Sequence, residues 1–234
     1  MRALSSEVAV FAAKMRCGIA QTPRSHRNNI GGGETTMRSA STVPAPAAGP
    51  LVRGSSWQID PAHSHVEFAV RHLMISSVKG AFGDVRGTVW VDESDPRTVL
   101  VDVTIQVSSI DTRQEQRDAH LRSSDFFDAA RFPTITFRSR GVEGDYRASE
   151  FRLRGDLTIR DVTREVVLVV SSEGRLTDPW GAERAGFSAQ GEIDRTDFGL
   201  TWNQALETGG FVVGDEVKIS VEVELIRQAT QAAA

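Results

Sequence analysis

Two runs of the chain alternate with a period of two, and this constrains the fold more than any other feature. Val99, Val101, Val103, Ile105 and Val107 alternate with Leu100, Asp102, Thr104, Gln106 and Ser108. Val217, Ile219, Val221, Val223 and Leu225 alternate with Lys218, Ser220, Glu222, Glu224 and Ile226. Successive side chains of a strand point to opposite faces, so apolar residues held on one parity predict antiparallel strands with one wet face. Weaker alternation over 64–72, 78–91, 134–140, 146–159, 164–172 and 184–194 makes eight strands in all. The separators are turn-forming, as in Asp92-Glu93-Ser94-Asp95-Pro96 and Asp178-Pro179-Trp180-Gly181. There is no alternation of strands with helices, which argues against a parallel sheet. Eight antiparallel strands close most simply into a barrel, because closure removes the exposed edges. Gly80, Gly83 and Gly87 within one strand predict bulges or a sharp coil, which a closing sheet requires. A barrel of this size is either filled by its own side chains or holds one small ligand, and periodicity alone leaves both open.

One stretch breaks the pattern. Thr112-Arg113-Gln114-Glu115 reads as a capping box opening a short helix over 113–124. Phe126, Phe127 and Phe132 follow at once, too much apolar area for a solvated loop. They are expected to tuck under the helix or into a barrel mouth, making the insert a lid or plug.

Composition narrows the function. Of 234 residues, 40% are hydrophobic and 25% charged, ordinary for a globular protein, and no apolar run approaches the ~20 residues of a membrane helix. Residues 1–50 carry six Lys/Arg against Glu7 and Glu34, which leaves −8 on the remainder of a chain of net charge −4. An acidic body argues against nucleic acid as the partner. The one cysteine, Cys17, excludes an internal disulfide. Residues 1–50 read as a disordered extension and linker, with one β-barrel domain over 51–234. The apolar stretch from Val8 to Ala13 is cut by Lys14, short of a secretory h-region. A cytoplasmic location is therefore expected, with a secreted or periplasmic one as the alternative.

The candidates for chemistry are few. His63 and His65 would share a strand face, but nothing in the spacing supplies a third ligand, so no metal site is expected. Asp118 and His120, with Arg117 beside them, could form an acid–base pair with an anion clamp. Residues two apart on a helix do not face each other, which favours ties to neighbouring strands or a place at a ligand-binding rim. Arg195, Asp197 and Asn203 surround Phe198 and Trp202, as a salt-bridged turn or as a polar rim with aromatic walls.

Several spaced motifs then resemble the YceI-like family. The opening is Trp57-Gln58-Ile59-Asp60-Pro61-Ala62-His63-Ser64, followed by Phe68-Ala69-Val70-Arg71-His72 and Gly80-Ala81-Phe82. The centre is Arg117-Asp118-Ala119-His120-Leu121, Phe126-Phe127-Asp128 and Phe132-Pro133-Thr134-Ile135-Thr136-Phe137. Gly155-Asp156-Leu157-Thr158-Ile159, Gly186-Phe187-Ser188 and Ile193-Asp194-Arg195-Thr196-Asp197-Phe198-Gly199-Leu200 complete the order. The resemblance implies an all-β, eight-stranded antiparallel lipocalin-like barrel that binds polyisoprenoids or similar long-chain amphiphiles. It implies non-enzymatic carriage or sequestration, with an isoprenoid lipid or quinone as ligand and no cofactor or catalytic residue. The alternatives are a lipid-modifying isomerase or hydrolase on the same barrel, or a filled barrel acting through protein contacts; a homodimer is expected. Apolar ligands need dry, shaped surroundings, so the expected cavity lining is Phe68, Val70, Phe82, Val101, Val103, Ile105, Phe137, Leu153, Leu157, Phe187 and Ile219. Arg117, Asp118, His120, Arg195 and Trp202 are expected at the polar rim.

Overall fold

The computed structural model describes residues 54–95, 97–205 and 211–229, so the expectation of a disordered extension over 1–50 lies outside the described residues. Eleven strand segments form one closed sheet. They are β1 (Gly54–Ile59), β2 (His65–His72), β3 (Ser76–Phe82), β4 (Val85–Asp92), β5 (Val99–Gln106), β6 (Ile110–Asp111), β7 (Thr134–Glu143), β8 (Glu150–Ile159), β9 (Val162–Thr177), β10 (Glu183–Asp194) and β11 (Val213–Arg227).

Eleven segments make eight staves. β1 and β2 both pair antiparallel with β11, at Ile59↔Leu225 and His65↔Glu222, so they are one stave broken at 60–64. β3 and β4 are a second, broken at Gly83 and Asp84; β5 and β6 are a third, interrupted by a 3-10 turn over Val107–Ser109. The remaining hairpins follow in chain order, and β11 pairing with β1 closes the ring. The eight antiparallel staves and the single helix agree with the sequence. The first stave starts earlier than its weak alternation indicated, because Gly54–Ile59 is itself paired on both sides.

Of the three glycines, Gly83 falls at the break between β3 and β4. Gly80 and Gly87 make close approaches and are not bulges: a Cβ on Gly80 would lie 2.4 Å from the Phe68 ring, and one on Gly87 2.5 Å from the Asp102 carbonyl. The register shifts fall between Ser139 and Gly141, between Gly186 and Phe187, and between Val213 and Val217.

Inward positions divide into two packed clusters. One, around Val85, Val107, Ile110, Phe137 and Phe198, lies toward the helix; the other, around Trp57, Ile59, Val91, Val99, Ala185 and Leu225, lies at the opposite end. Between them the lining is looser. Val101, Val103, Val166, Leu168, Phe187, Val217, Ile219 and Val221 belong to the inward-facing set yet are only half-buried. Apolar side chains that point inward and keep accessible area face a hollow, so the barrel is not filled.

Candidate functional site

The hollow has a volume of about 290 Å³, close to the lower end of the ~300–1,000 Å³ of small-molecule sites. Its walls are almost wholly aliphatic and aromatic. Phe68, Val70, Phe82, Val101, Val103, Ile105, Phe137, Leu153, Leu157, Phe187 and Ile219 all line it. Alternation brings them together, because each stave turns one parity inward. Gly155 sharpens the wall: a Cβ there would meet the Phe137 ring at 2.3 Å, so its absence lets that ring lie flat across the neighbouring strand.

The end near Trp57 is sealed. The Trp57 ring is 1% exposed, and its indole N–H donates to Ser55 Oγ at 3.0 Å. The Arg175 and Arg227 guanidinium groups stand 4.7 and 5.8 Å from the ring centroid, within cation–π range. Arg227 also pairs with Glu183 at 2.7 Å. Beside this floor, Arg184 donates to Asp178 at 2.7 Å, to Asp60 at 2.9 Å and to Glu224. Asp60 also accepts from His63 at 3.0 Å. Hydrogen bonds from His63 first and Arg184 second hold the Asp60 carboxyl down to about 2. The same partners drive the Arg184 guanidinium well above its usual range, Asp178 most of all. Asp60, His63 and Glu224 are grouped closely enough to ligate a metal, but Arg184 already neutralises both carboxylates. Sequence reading missed this network because its bonded pairs lie as far as 124 residues apart, with no local motif.

The other end is covered by one local module. Helix α1 spans Glu115–Arg122, shorter than the expected 113–124, and the capping box is not formed. Arg113 has φ +63°, outside the helical region, and Gln114 is the cap, its side chain accepting from the Arg117 amide. The Thr112 hydroxyl donates instead to Asp118, whose Oδ1 also accepts from the Thr112 amide at 2.9 Å. Arg117 completes the clasp, donating to Thr112 Oγ1 and to its carbonyl, both at 2.7 Å. Asp118 is therefore 6% exposed and engaged with backbone.

From this clasp Leu121, Phe126 and Phe127 point into the cavity. Phe132 departs from expectation: it lies outside, with Arg131 and Arg160 guanidinium groups 5.0 and 5.6 Å from its ring. His120 pairs with Asp125 at 2.9 Å and meets the Phe126 and Trp202 rings edge-on at 5.1 and 4.8 Å. Asp118 and His120 thus face different partners. Arg195 lines the cavity but is pinned by the Gly214, Leu200, Trp202 and Val213 carbonyls and by Asp215. Of the five expected rim residues, Arg117, Asp118 and Arg195 fasten covering segments, while His120 and Trp202 stack with Phe126.

Comparison with known proteins follows the same outline. The model of the YceI-like domain matches residues 57–225. A UPF0312 protein of Staphylococcus aureus is 40% identical over 171 residues, covering 73% of this chain and 96% of its own. The crystal structure of BcnA from Burkholderia cenocepacia matches with a TM-score of 0.61 at 23% identity, over 71% of this chain and 98% of its own. A polyisoprenoid binding domain from Saccharophagus degradans, implicated in plant cell wall breakdown, matches with a TM-score of 0.53 at 14% identity, over 74% and 98%. The last two share the fold.

Proposed function

The chain belongs to the YceI-like domain family, and from that membership we propose that it is a non-enzymatic carrier or sequestering protein for an isoprenoid or other long-chain amphiphile held in the barrel. The observation that carries this reading is the hollow: inward side chains that are apolar and only half-buried, around a cavity of about 290 Å³. Burial of apolar surface is worth roughly 25 cal/mol per Å², so a hydrocarbon chain needs shape and dryness far more than polar contacts. The Saccharophagus domain of the same fold is a polyisoprenoid binding domain, which supports the same ligand class. An isoprenoid lipid or a quinone fits this chemistry.

The barrel sets a geometric limit. A strand of ~10 residues is roughly 34 Å long and, tilted by ~40°, spans about 26 Å of depth. A long polyprenyl chain would bend within the hollow or leave its head group at the covered end. Extraction of purified protein into organic solvent, followed by mass spectrometry, tests the reading. A stoichiometric prenyl lipid or quinone is expected. Empty protein that also fails to take up such lipids would contradict it. Turnover of a lipid substrate lost in both Asp118→Asn and His120→Gln would instead favour an enzyme. A homodimer and a cytoplasmic location are retained as parts of the proposal, to be tested by sedimentation mass and by cell fractionation.

A further inference from the structure

At the covered end the hairpin between β2 and β3 carries an unusual tip. Ile75 N–H donates to the His72 carbonyl at 3.2 Å, closing a four-residue turn. Its central residues, Leu73 and Met74, have φ of +51° and +62°. Both central residues in the left-handed region is the pattern of a hairpin turn normally built from Asn-Gly, and bulky side chains are strained there. Strain of this kind persists where something other than local stability selects the residues. The tip is also apolar and outward: Met74 is 64% and Ile75 83% exposed. Phe211, 57% exposed, shares the rim, because the Leu73 amide donates to the Val212 carbonyl at 3.0 Å.

Three features indicate what this tip meets. The first is continuity. Val70 on β2 and Val213 and Val217 on β11 line the cavity, and the same strands end at the tip. An amphiphile moving along them crosses little polar surface. The second is charge. Between Glu67 and Asp84 the hairpin holds Arg71, His72 and Lys79 and no carboxylate, in a chain of net charge −4. The Arg71 guanidinium is fixed at the base of the tip, donating to the Met74 carbonyl at 2.9 Å. On facing β11, Asp215 is matched by Arg195 at 2.8 Å, and Glu216 shares Lys218 with Glu192, at 3.9 and 3.1 Å. The third is contrast within the molecule. Leu176 and Trp180, at the β9–β10 hairpin, are as exposed at 61% and 85%, but the cations beside them are engaged, Arg184 with Asp178 and Arg227 with Glu183 at 2.7 Å and Arg175 on the Trp57 ring.

We propose that the Met74–Ile75–Phe211 rim is a docking site for an anionic lipid bilayer, through which the cavity loads and unloads. It rests on the amphiphile-carrier reading, and it makes the strained hairpin the place where that carrier touches a membrane. Met74, Ile75 and Phe211 enter the acyl boundary while Arg71 and Lys79 meet lipid phosphates, the pattern of an interfacial anchor.

Flotation of the full chain with vesicles of phosphatidylcholine, with and without phosphatidylglycerol, tests this. Wild-type protein floats with the anionic vesicles. Met74→Ser/Ile75→Ser lowers the bound fraction on the order of tenfold, while Leu176→Ser/Trp180→Ser leaves it unchanged. The basic residues of 1–50 are common to every variant, so the difference isolates the rim. Leu73→Asn/Met74→Gly provides a second arm: it relieves the turn, raises the melting temperature and still loses vesicles. Uptake of a water-soluble farnesyl probe is measured beside it. Probe uptake retained with vesicle binding lost at the rim supports the proposal. Wild type that ignores vesicles, or rim variants that bind equally, overturns it. Rim variants that only convert a dimer to a monomer overturn it in favour of a second copy of the chain. Vesicle binding without probe uptake would leave the docking site standing and remove the carrier.

Discussion

The two ends of the barrel are closed by different means. The Trp57 floor is assembled at long range: Trp57 and Asp60 from the first stave, Arg175 and Asp178 from the end of β9, Arg184 from β10, and Glu224 and Arg227 from β11. Removing any one strand would dismantle it. The opposite end is covered mainly by a contiguous stretch, from the Thr112–Asp118–Arg117 clasp to Phe127, whose polar ties are local and whose rings pack on Phe82 and Trp202. A floor tied into four staves is built to stay shut. A cover whose ties are local can open without breaking the ring, and rates of ligand entry and release test whether it does.

Substitutions at the two ends should therefore differ in kind. Trp57→Ala has the largest effect, a loss of about 3–5 kcal/mol in denaturant unfolding, because it removes a fully buried indole and the platform under Arg175 and Arg227. It should lower stability without selectively accelerating ligand exchange. Asp118→Ala leaves the Thr112 amide and hydroxyl without their buried acceptor and costs about 1–3 kcal/mol. It should also loosen the cover, so ligand release measured by stopped-flow quickens by more than the stability loss explains. Phe127→Ala does the same through lost packing, at about 2 kcal/mol. Unchanged entry and release rates in both variants would make the module a plug.

Acid separates the ends by another route. Asp60 is held at about 2 in the folded protein, below its unfolded value of about 3.9. Its contribution is complete above roughly pH 4 and is lost as pH falls through about 2, amounting to at most about 2.5 kcal/mol. Asp60→Asn should flatten the acid limb of the stability curve between those values, read as melting temperature against pH. The smallest effect has the opposite sign: Leu73→Asn/Met74→Gly should stabilise by about 1 kcal/mol through relief of left-handed strain.

The contrast also explains what was legible in the sequence. Alternation exposed the staves because one parity must face the core, and for the same reason the eleven apolar residues read as lining, from Phe68 to Ile219, do face the hollow. The helical cover was legible as an element, but its fastening was not. Thr112 and Glu115 have the spacing of a capping box, yet Asp118 competes for the same hydroxyl, and the positive φ of Arg113 puts the helix start after Gln114. Phe132 read as a plug residue because its apolarity is local information, whereas the Arg160 that holds it outside comes from a distant turn. The Arg184 network left no trace in any window, since Asp60, Asp178 and Glu224 meet only after closure. Hollowness itself was beyond the pattern: Val and Ile fill a barrel or line one equally well, and only their half-burial distinguishes the two.

Blocking the hollow asks whether an apolar ligand can occupy it. Ile219→Trp places an indole on the half-buried part of the lining, on β11 between β2 and β10. Binding of a fluorescent farnesyl probe to wild type and variant is the measurement, with circular dichroism confirming equal folding. Wild type should bind saturably and one-to-one, and Ile219→Trp on the order of a hundredfold more weakly. Equal affinity in both, or no binding by the wild type, would contradict such occupancy.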